Sequence, residues 1–179
     1  MDVSEIVIVL VVVTGAFFVK GITGLGGPPL VIPVLATFMG VEWAVAVIAI
    51  PAALSNGWLL FENRDSLAGI RPYIAPILAA GAVGTIIGVN ILLSVDDRIM
   101  SIVLGVLMLV YIVWYLFNPT TKLGDRAARW LAWPAGLGGG ILHGTTGVAA
   151  PVIATYAHSL RLPRSEFVAA ISLPFVVLG

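Results

Sequence analysis

The apolar pattern of the sequence breaks at Gly21-Ile22-Thr23-Gly24-Leu25-Gly26-Gly27-Pro28-Pro29, between apolar segments at 5–20 and 29–39. Glycine lowers helix propensity, and proline is favoured in the first turn of a new helix. The stretch therefore predicts two short helices joined by a tight glycine loop. Gly144-Thr145-Thr146-Gly147, between apolar segments 130–142 and 148–158, predicts a second pair of the same form.

The composition around these breaks is that of a membrane protein. Of the 179 residues, 60% are hydrophobic and 10% are charged, and the mean hydropathy is +1.10. A soluble domain carries about 25% charged residues. Segments 43–61, 72–93 and 98–117 are each long enough to cross a bilayer, which takes about 20 apolar residues. The expected class is an all-α polytopic membrane protein.

Several functional classes are disfavoured by what the sequence lacks. The net charge is zero, so no excess of positive charge indicates nucleic-acid binding. There is no cysteine, so no thiolate site is possible. There is no Walker A motif, and no His, Asp or Glu cluster has metal-ligand spacing. We therefore expect no enzyme, no catalytic residues, no cofactor and no metal, and we leave a homo-oligomer open.

An internal repeat links the two breaks. Shifted by 123 residues, the chain matches itself without a gap and with nine identities over residues 13–56. The identities are concentrated in Gly, Pro and Thr, and repeats with broken helices at matching positions are typical of transporters. The matched pairs are Gly15–Gly138, Gly21–Gly144, Thr23–Thr146, Gly24–Gly147, Pro28–Pro151, Val45–Val168, Ala46–Ala169, Ile48–Ile171 and Pro51–Pro174.

The repeat divides the chain into residues 1–118, the first repeat, a loop at 119–129, and residues 130–179, a partial second repeat. Gly179 aligns with Asn56, in the middle of a helix of the first repeat. The second repeat is therefore expected to be truncated, and the alternative is a naturally short protein. The spacings Gly84-xxx-Gly88 and Gly136-xxx-Gly140-xxx-Gly144 predict close helix packing.

Loop charge distinguishes two topologies. If each broken pair is a re-entrant hairpin, the repeats are inverted. Leaving out Lys20, near the hairpin tip, seven basic residues then share one side with only Arg98 on the other. If each pair crosses as a single helix, five basic residues lie on one side of the membrane and three on the other. The positive-inside rule favours the hairpins, with the N-terminus outside and loops 62–71, 118–129 and 159–165 in the cytoplasm. The seven residues are Arg64, Arg71, Lys122, Arg126, Arg129, Arg161 and Arg164.

The broken pairs also suggest where an anion binds. Helix N-termini at membrane depth present unpaired N–H groups with a partial positive charge, and glycine allows close approach to the backbone. Gly24–Pro28 and Gly147–Pro151 are the two candidate termini. Lys20 and His143, at equivalent positions just before them, are candidates for a positive charge or a proton relay. The alternatives are snorkelling for Lys20 and helix packing for His143.

Threonine hydroxyls and one amide complete the candidate site. The threonines beside the loops offer donors, or alternatively bond their own helix backbone. Asn56 lies in an apolar segment and either lines the path or bonds between helices. The predicted substrate-binding residues are Lys20, Thr23, Gly24, Gly26, Gly27, Pro28, Asn56, His143, Thr145, Thr146, Gly147 and Pro151.

These motifs resemble a known family. Gly21-Ile-Thr-Gly24-Leu-Gly26-Gly27, with Pro33 following, and Gly144-Thr-Thr-Gly147-Val-Ala-Ala-Pro151, followed by Leu160–Arg164, are similar to the paired motifs of the TauE/SafE sulfite exporter family. Ala149-Ala150 departs from its glycines, and Pro28 stands where a further glycine is usual. The resemblance implies a cell-membrane transporter of sulfite or organosulfonates driven by an ion gradient. An anion channel and a non-transporting scaffold or accessory subunit are the alternatives.

Overall fold

The regular secondary structure of the described residues is helical throughout. The structure, a computed structural model, describes residues 3–23, 27–117 and 123–178. No strand occurs in these ranges, so the predicted all-α class is confirmed, and a 3-10 turn at Arg64–Ser66 precedes the fourth helix. The helices are α1 (Val3–Thr23), α2 (Gly27–Met39), α3 (Val41–Glu62), α4 (Leu67–Ser94), α5 (Asp97–Phe117), α6 (Asp125–Thr146), α7 (Ala150–Ser159) and α8 (Arg164–Val177).

Within the described ranges, two stretches are long and apolar enough to cross a membrane. They are Val41–Glu62, which is α3, and Arg64–Ser94, which contains α4. At 1.5 Å per residue, a helix of about 20 residues spans the roughly 30 Å hydrocarbon core of a bilayer. Both were predicted as spans, at 43–61 and 72–93. The third predicted span, 98–117, forms α5 but is not among these two.

The α6–α7 pair folds back on itself. The Tyr156 hydroxyl near the end of α7 donates to the Ala128 carbonyl near the start of α6, at 2.8 Å. The Leu123 N–H, just before α6, donates to the Ser159 carbonyl at 3.0 Å. Because the start of one helix contacts the end of the other, the two helices run side by side in opposite directions rather than end to end.

The α1–α2 pair also packs side by side. A Cβ placed on Gly27, the first residue of α2, would lie 3.5 Å from the ring of Phe17. Ala16 of α1 and Leu35 of α2 are buried in one cluster. The end of α1 is bound by the second half of the chain, because the Arg164 guanidinium donates to the Ile22 carbonyl at 3.1 Å. A cation at a helix C-terminus is electrostatically favourable.

Helix boundaries recur 123 residues apart, as the repeat does. α1 and α6 end at Thr23 and Thr146, α2 and α7 begin at Gly27 and Ala150, and α3 and α8 begin at Val41 and Arg164. α1 and α6 have 21 and 22 residues, so the predicted short helices 5–20 and 130–142 are wrong in length. α2 and α7 are short, with 13 and 10 residues.

α6 packs against α4 through three glycines spaced four residues apart. Gly136, Gly140 and Gly144 lie directly against the backbone of α4. A Cβ on Gly136 would lie 2.6 Å from the Ile77 carbonyl oxygen, and one on Gly144 would lie 2.5 Å from that of Thr85. A Cβ on Gly140 would collide with the Gly81 carbonyl. The predicted close packing at the glycine spacings is confirmed, since backbones this close leave no room for side chains.

The start of α3 is fixed by α5. Gly40 links α2 to α3 with φ 81°, in the left-handed region that favours glycine. The Val41 N–H donates to Asp97 Oδ1 at 2.7 Å, which satisfies one of the free amides of the helix N-terminus. This contact positions α3, whose inner face contributes to the site described below.

Replacing Tyr156 with phenylalanine should loosen the α6–α7 pair. The substitution removes a buried hydrogen bond between α7 and α6, which is expected to cost about 0.5–1.5 kcal/mol of unfolding free energy. The thermal melting temperature in detergent measures the loss. Tyr73→Phe is the control, because its longer 3.3 Å hydrogen bond to Asp125 is exposed. Equal melting temperatures for wild type and Tyr156→Phe would contradict the role of this bond.

Candidate functional site

A cavity of about 60 Å³ lies between the two halves of the chain. α2 and α3 form one side of it, and the end of α6, Gly147 and α8 form the other. Four residues of the predicted site line this cavity, namely Pro28, Asn56, His143 and Gly147. The lining residues are Pro28, Val45, Ile48, Ala49, Ala52, Asn56, His143, Gly147 and Phe175.

Two polar side chains in this cavity wall have buried atoms without a partner. Within the described residues, Asn56 Oδ1 and His143 Nδ1 make no hydrogen bond, and Asn56 is only 2% exposed. A buried polar atom without a partner costs about 1–3 kcal/mol, so the pair marks where a polar ligand gains most. The His143 ring meets the Phe175 ring edge-on, with centroids 5.7 Å apart.

Lys20 is buried inside the protein rather than directed to an interface. Its side chain is 3% exposed, and its ammonium donates to Ser55 Oγ at 2.7 Å. Among the described residues, no carboxylate lies within ion-pair distance of it. This position does not fit snorkelling, in which the ammonium reaches the water interface.

Lys20 adjoins the cavity wall at two points. Ser55, which accepts its hydrogen bond, directly precedes Asn56 in α3. A Cβ on Gly27, next to the lining residue Pro28, would lie 3.1 Å from Lys20 Cδ. A buried ammonium without a counter-ion is electrostatically costly. The arrangement therefore places uncompensated positive charge next to a cavity that already has two unpaired polar atoms.

The threonines at the end of α6 bond their own helix. Thr145 Oγ1 donates to the Ile141 carbonyl at 2.8 Å, and Thr146 Oγ1 donates to that of Leu142 at 2.8 Å. Both side chains are buried, and neither lines the cavity. The hydroxyl hydrogens are thus occupied by backbone carbonyls, which is the alternative that the sequence left open.

The remaining predicted site residues do not line the cavity or lie outside the described residues. Pro151 lies in the first turn of α7, outside the cavity lining, and its carbonyl accepts a hydrogen bond from Thr155 at 2.6 Å. Gly27 contacts Lys20 but does not line the cavity. Gly24, Gly26 and the side chain of Thr23 lie outside the described residues.

The helix starts offer fewer free amides than the glycine motifs suggest. Proline has no N–H, so Pro28 and Pro29 remove two donors from the first turn of α2. In α7, the N–H groups of Val152 and Ile153 already donate to the Ala149 carbonyl. The Ala149 and Ala150 amides remain without an acceptor in the described part of the chain. An anion at α7 would therefore bind these two amides.

Sequence reasoning missed Ser55 and Phe175. Ser55 had no pattern to mark it, because a lone serine in an apolar helix usually bonds its own backbone. Phe175 did have a signal. It follows Pro174, which matches Pro51 across the repeat, and so it corresponds to Ala52. Both positions line the cavity.

Replacing Gly147 with alanine should destabilise the turn between α6 and α7. Gly147 has φ 69°, a conformation that costs other residues about 1–2 kcal/mol, and a Cβ there would lie 2.5 Å from Ile32 Cδ1. The melting temperature should fall. Because Gly147 lines the cavity, the affinity for any molecule that binds in the cavity should fall as well. Gly15→Ala is the control, since no atom lies within 4 Å of the added Cβ. A melting temperature equal to that of Gly15→Ala would contradict this expectation.

The helical fold, with two stretches of membrane length among the described residues, is compatible with an α-helical membrane protein. The family model of the sulfite exporter TauE/SafE matches residues 7–179, so the chain belongs to the sulfite exporter TauE/SafE family. Members of this family are membrane transporters rather than enzymes, and membership implies an exporter-type transporter of sulfite or a related anion. Neither the search of curated proteins nor that of solved structures returned a match.

Proposed function

We propose that the protein is a secondary-active transporter of small anions, sulfite or organosulfonates, and that the cavity between its two halves is the substrate site. The observation that carries the proposal is the buried ammonium of Lys20, without a carboxylate partner among the described residues, beside a cavity with two unpaired polar atoms. An anion neutralises the lysine and accepts hydrogen bonds from it, and from Asn56 and His143 when their N–H groups face the cavity. Anion binding therefore offsets the free-energy cost of burying the Lys20 ammonium without a counter-ion.

The contributions of the site residues follow from their chemistry. The ammonium of Lys20 attracts the anion and donates to it in place of Ser55. The amide of Asn56 supplies an N–H donor, since rotation of the amide exchanges its oxygen and nitrogen. His143 donates to the anion when its free ring nitrogen carries a proton. The apolar walls at Ile48 and Ala52 exclude water and strengthen these interactions.

The finer architecture of the transporter is part of the same proposal. We propose two inverted repeats, each opening with a re-entrant hairpin, in a multi-pass protein of the cell membrane with the N-terminus outside. The side-by-side packing of α1 with α2 and of α6 with α7 supports the hairpins, and the recurring helix boundaries support the repeat. Rocking of one repeat against the other would expose the cavity to each side in turn.

Uptake into liposomes tests this function. The purified chain is reconstituted, and entry of radiolabelled sulfite is followed with and without an imposed proton or sodium gradient. We expect saturable uptake that the gradient accelerates and an ionophore abolishes. Unlabelled short sulfonates should compete with the label. Flux that ignores the gradient, with single-channel conductance in a planar bilayer, would instead establish the channel alternative, and no flux at all would contradict both.

A further inference from the structure

The aromatic ring of Phe175 closes one side of the cavity. Phe175 lines it from α8, and its ring lies edge-on to His143, one of the two residues with unpaired polar atoms. The ring is held in place from behind, because Phe175 also packs against the buried cluster of Ala154, Ala157 and Ile171. Its position relative to His143 is therefore set by the packing of α8.

The equivalent position of the first half carries a small side chain. Ala52 and Phe175 are 123 residues apart, each follows a matched proline inside a helix, and both line the same cavity. One half of the site is therefore open at a position where the other half is filled by a benzene ring. Because the two halves are alike in their helix boundaries, the difference in side-chain size determines how much of the space between them remains.

The remaining space is small. A buried water needs about 10–15 Å³ of such volume, so a cavity of about 60 Å³ has room for roughly four to six atoms of water size. Sulfite, one sulfur with three oxygens, fits this volume, and methanesulfonate, with one further methyl group, fills it. A sulfonate with a benzene ring does not fit unless the Phe175 ring is removed.

We infer that Phe175 is the residue that sets the upper size limit of the transported anion, restricting the site to sulfite and the shortest alkanesulfonates. This inference rests on the proposed function, because it takes the cavity as the substrate site. Phe175 contributes no charge and no hydrogen bond to the anion. Its effect is on the size that is accepted, and it should appear in the ratio of affinities for large and small anions rather than in affinity as such.

The test measures anion binding to the purified chain in detergent by isothermal titration, with sulfite, methanesulfonate, propanesulfonate and benzenesulfonate as probes. Wild type should bind sulfite and methanesulfonate much more tightly than benzenesulfonate. Phe175→Ala and the milder Phe175→Leu, which keeps apolar volume in α8, should each shift the affinity ratio of benzenesulfonate to sulfite at least tenfold toward benzenesulfonate. Ala52→Phe should lower the affinity for methanesulfonate more than that for sulfite, because it fills the cavity from the other side.

Phe167→Ala is the matched control. Phe167 lies on the same helix and packs against the same buried cluster as Phe175, and its ring contacts that of His158 with centroids 4.5 Å apart. It does not line the cavity. The substitution should lower stability without changing the ratio. Folded Phe175→Leu protein that binds sulfite with the wild-type size preference would overturn the inference while leaving the proposed function intact. Wild-type protein that binds none of the four probes would overturn the proposed function, and the inference with it.

Discussion

Replacing Lys20 with methionine is expected to lower the affinity for sulfite tenfold to a hundredfold. Methionine keeps the apolar stem of the buried side chain and removes only its charge. A hydrogen bond to a charged group contributes about 1.5–3 kcal/mol, and about 1.4 kcal/mol corresponds to a factor of ten in affinity. The loss should be measured as the dissociation constant for sulfite and, in liposomes, as the initial rate of uptake.

The same substitution should not unfold the protein. The ammonium is buried against the Ser55 hydroxyl and the face of the Phe17 ring, 5.6 Å from its centroid, with no carboxylate partner among the described residues. Removing a buried charge that lacks a counter-ion is often neutral or stabilising. Melting temperature in the absence of anion should therefore be unchanged or higher in Lys20→Met. This separates the loss of binding from a loss of fold.

Arg71→Met serves as the charge control. Arg71 is an exposed cation on α4 and does not line the cavity, so the substitution removes one positive charge from the chain without touching the site. Sulfite affinity should be the same as in wild type. If Lys20→Met and Arg71→Met bound sulfite equally well, Lys20 would not be the charge that holds the anion.

Replacing Gly140 with valine is expected to prevent the native fold. A Cβ at this position collides with the Gly81 carbonyl, and the colliding atoms belong to the backbone of α4, which cannot rotate away as a side chain can. Overpacking in a core costs about 1–3 kcal/mol when side chains can adjust, so the cost here should exceed that range. The expected result is a large fall in the yield of monodisperse protein on size-exclusion chromatography.

Gly138→Ala is the control on the same helix. No atom lies within 4 Å of a Cβ added there, and alanine is favoured over glycine in a helix by up to about 1 kcal/mol. Gly138→Ala should express at or above the wild-type level. A folded Gly140→Val protein with wild-type melting temperature would mean that α4 and α6 are farther apart than the structure shows.

The positions of helix ends were largely accessible from sequence, because they depend on local chemistry. Glycine and proline act on the backbone within a turn or two, so the break before Pro28 was predicted within a few residues of the start of α2 at Gly27. Which helix packs against Gly140 and Gly144 was not accessible, because their close contact is with the backbone of α4. That contact joins residues far apart in the chain and leaves no local signal.

The sequence by itself determined the helical class, the approximate positions of the helix breaks and the choice of Lys20 and His143 as candidates, since burying a charge among apolar residues is costly wherever it occurs. Only the tertiary structure decided which candidates meet. It brought Asn56 and His143 to one cavity and Lys20 beside it, and it left the Thr146 hydroxyl bonded to its own helix. The physical reason is that a binding site depends on distances between helices, and side-chain packing fixes those distances only when the whole chain has folded.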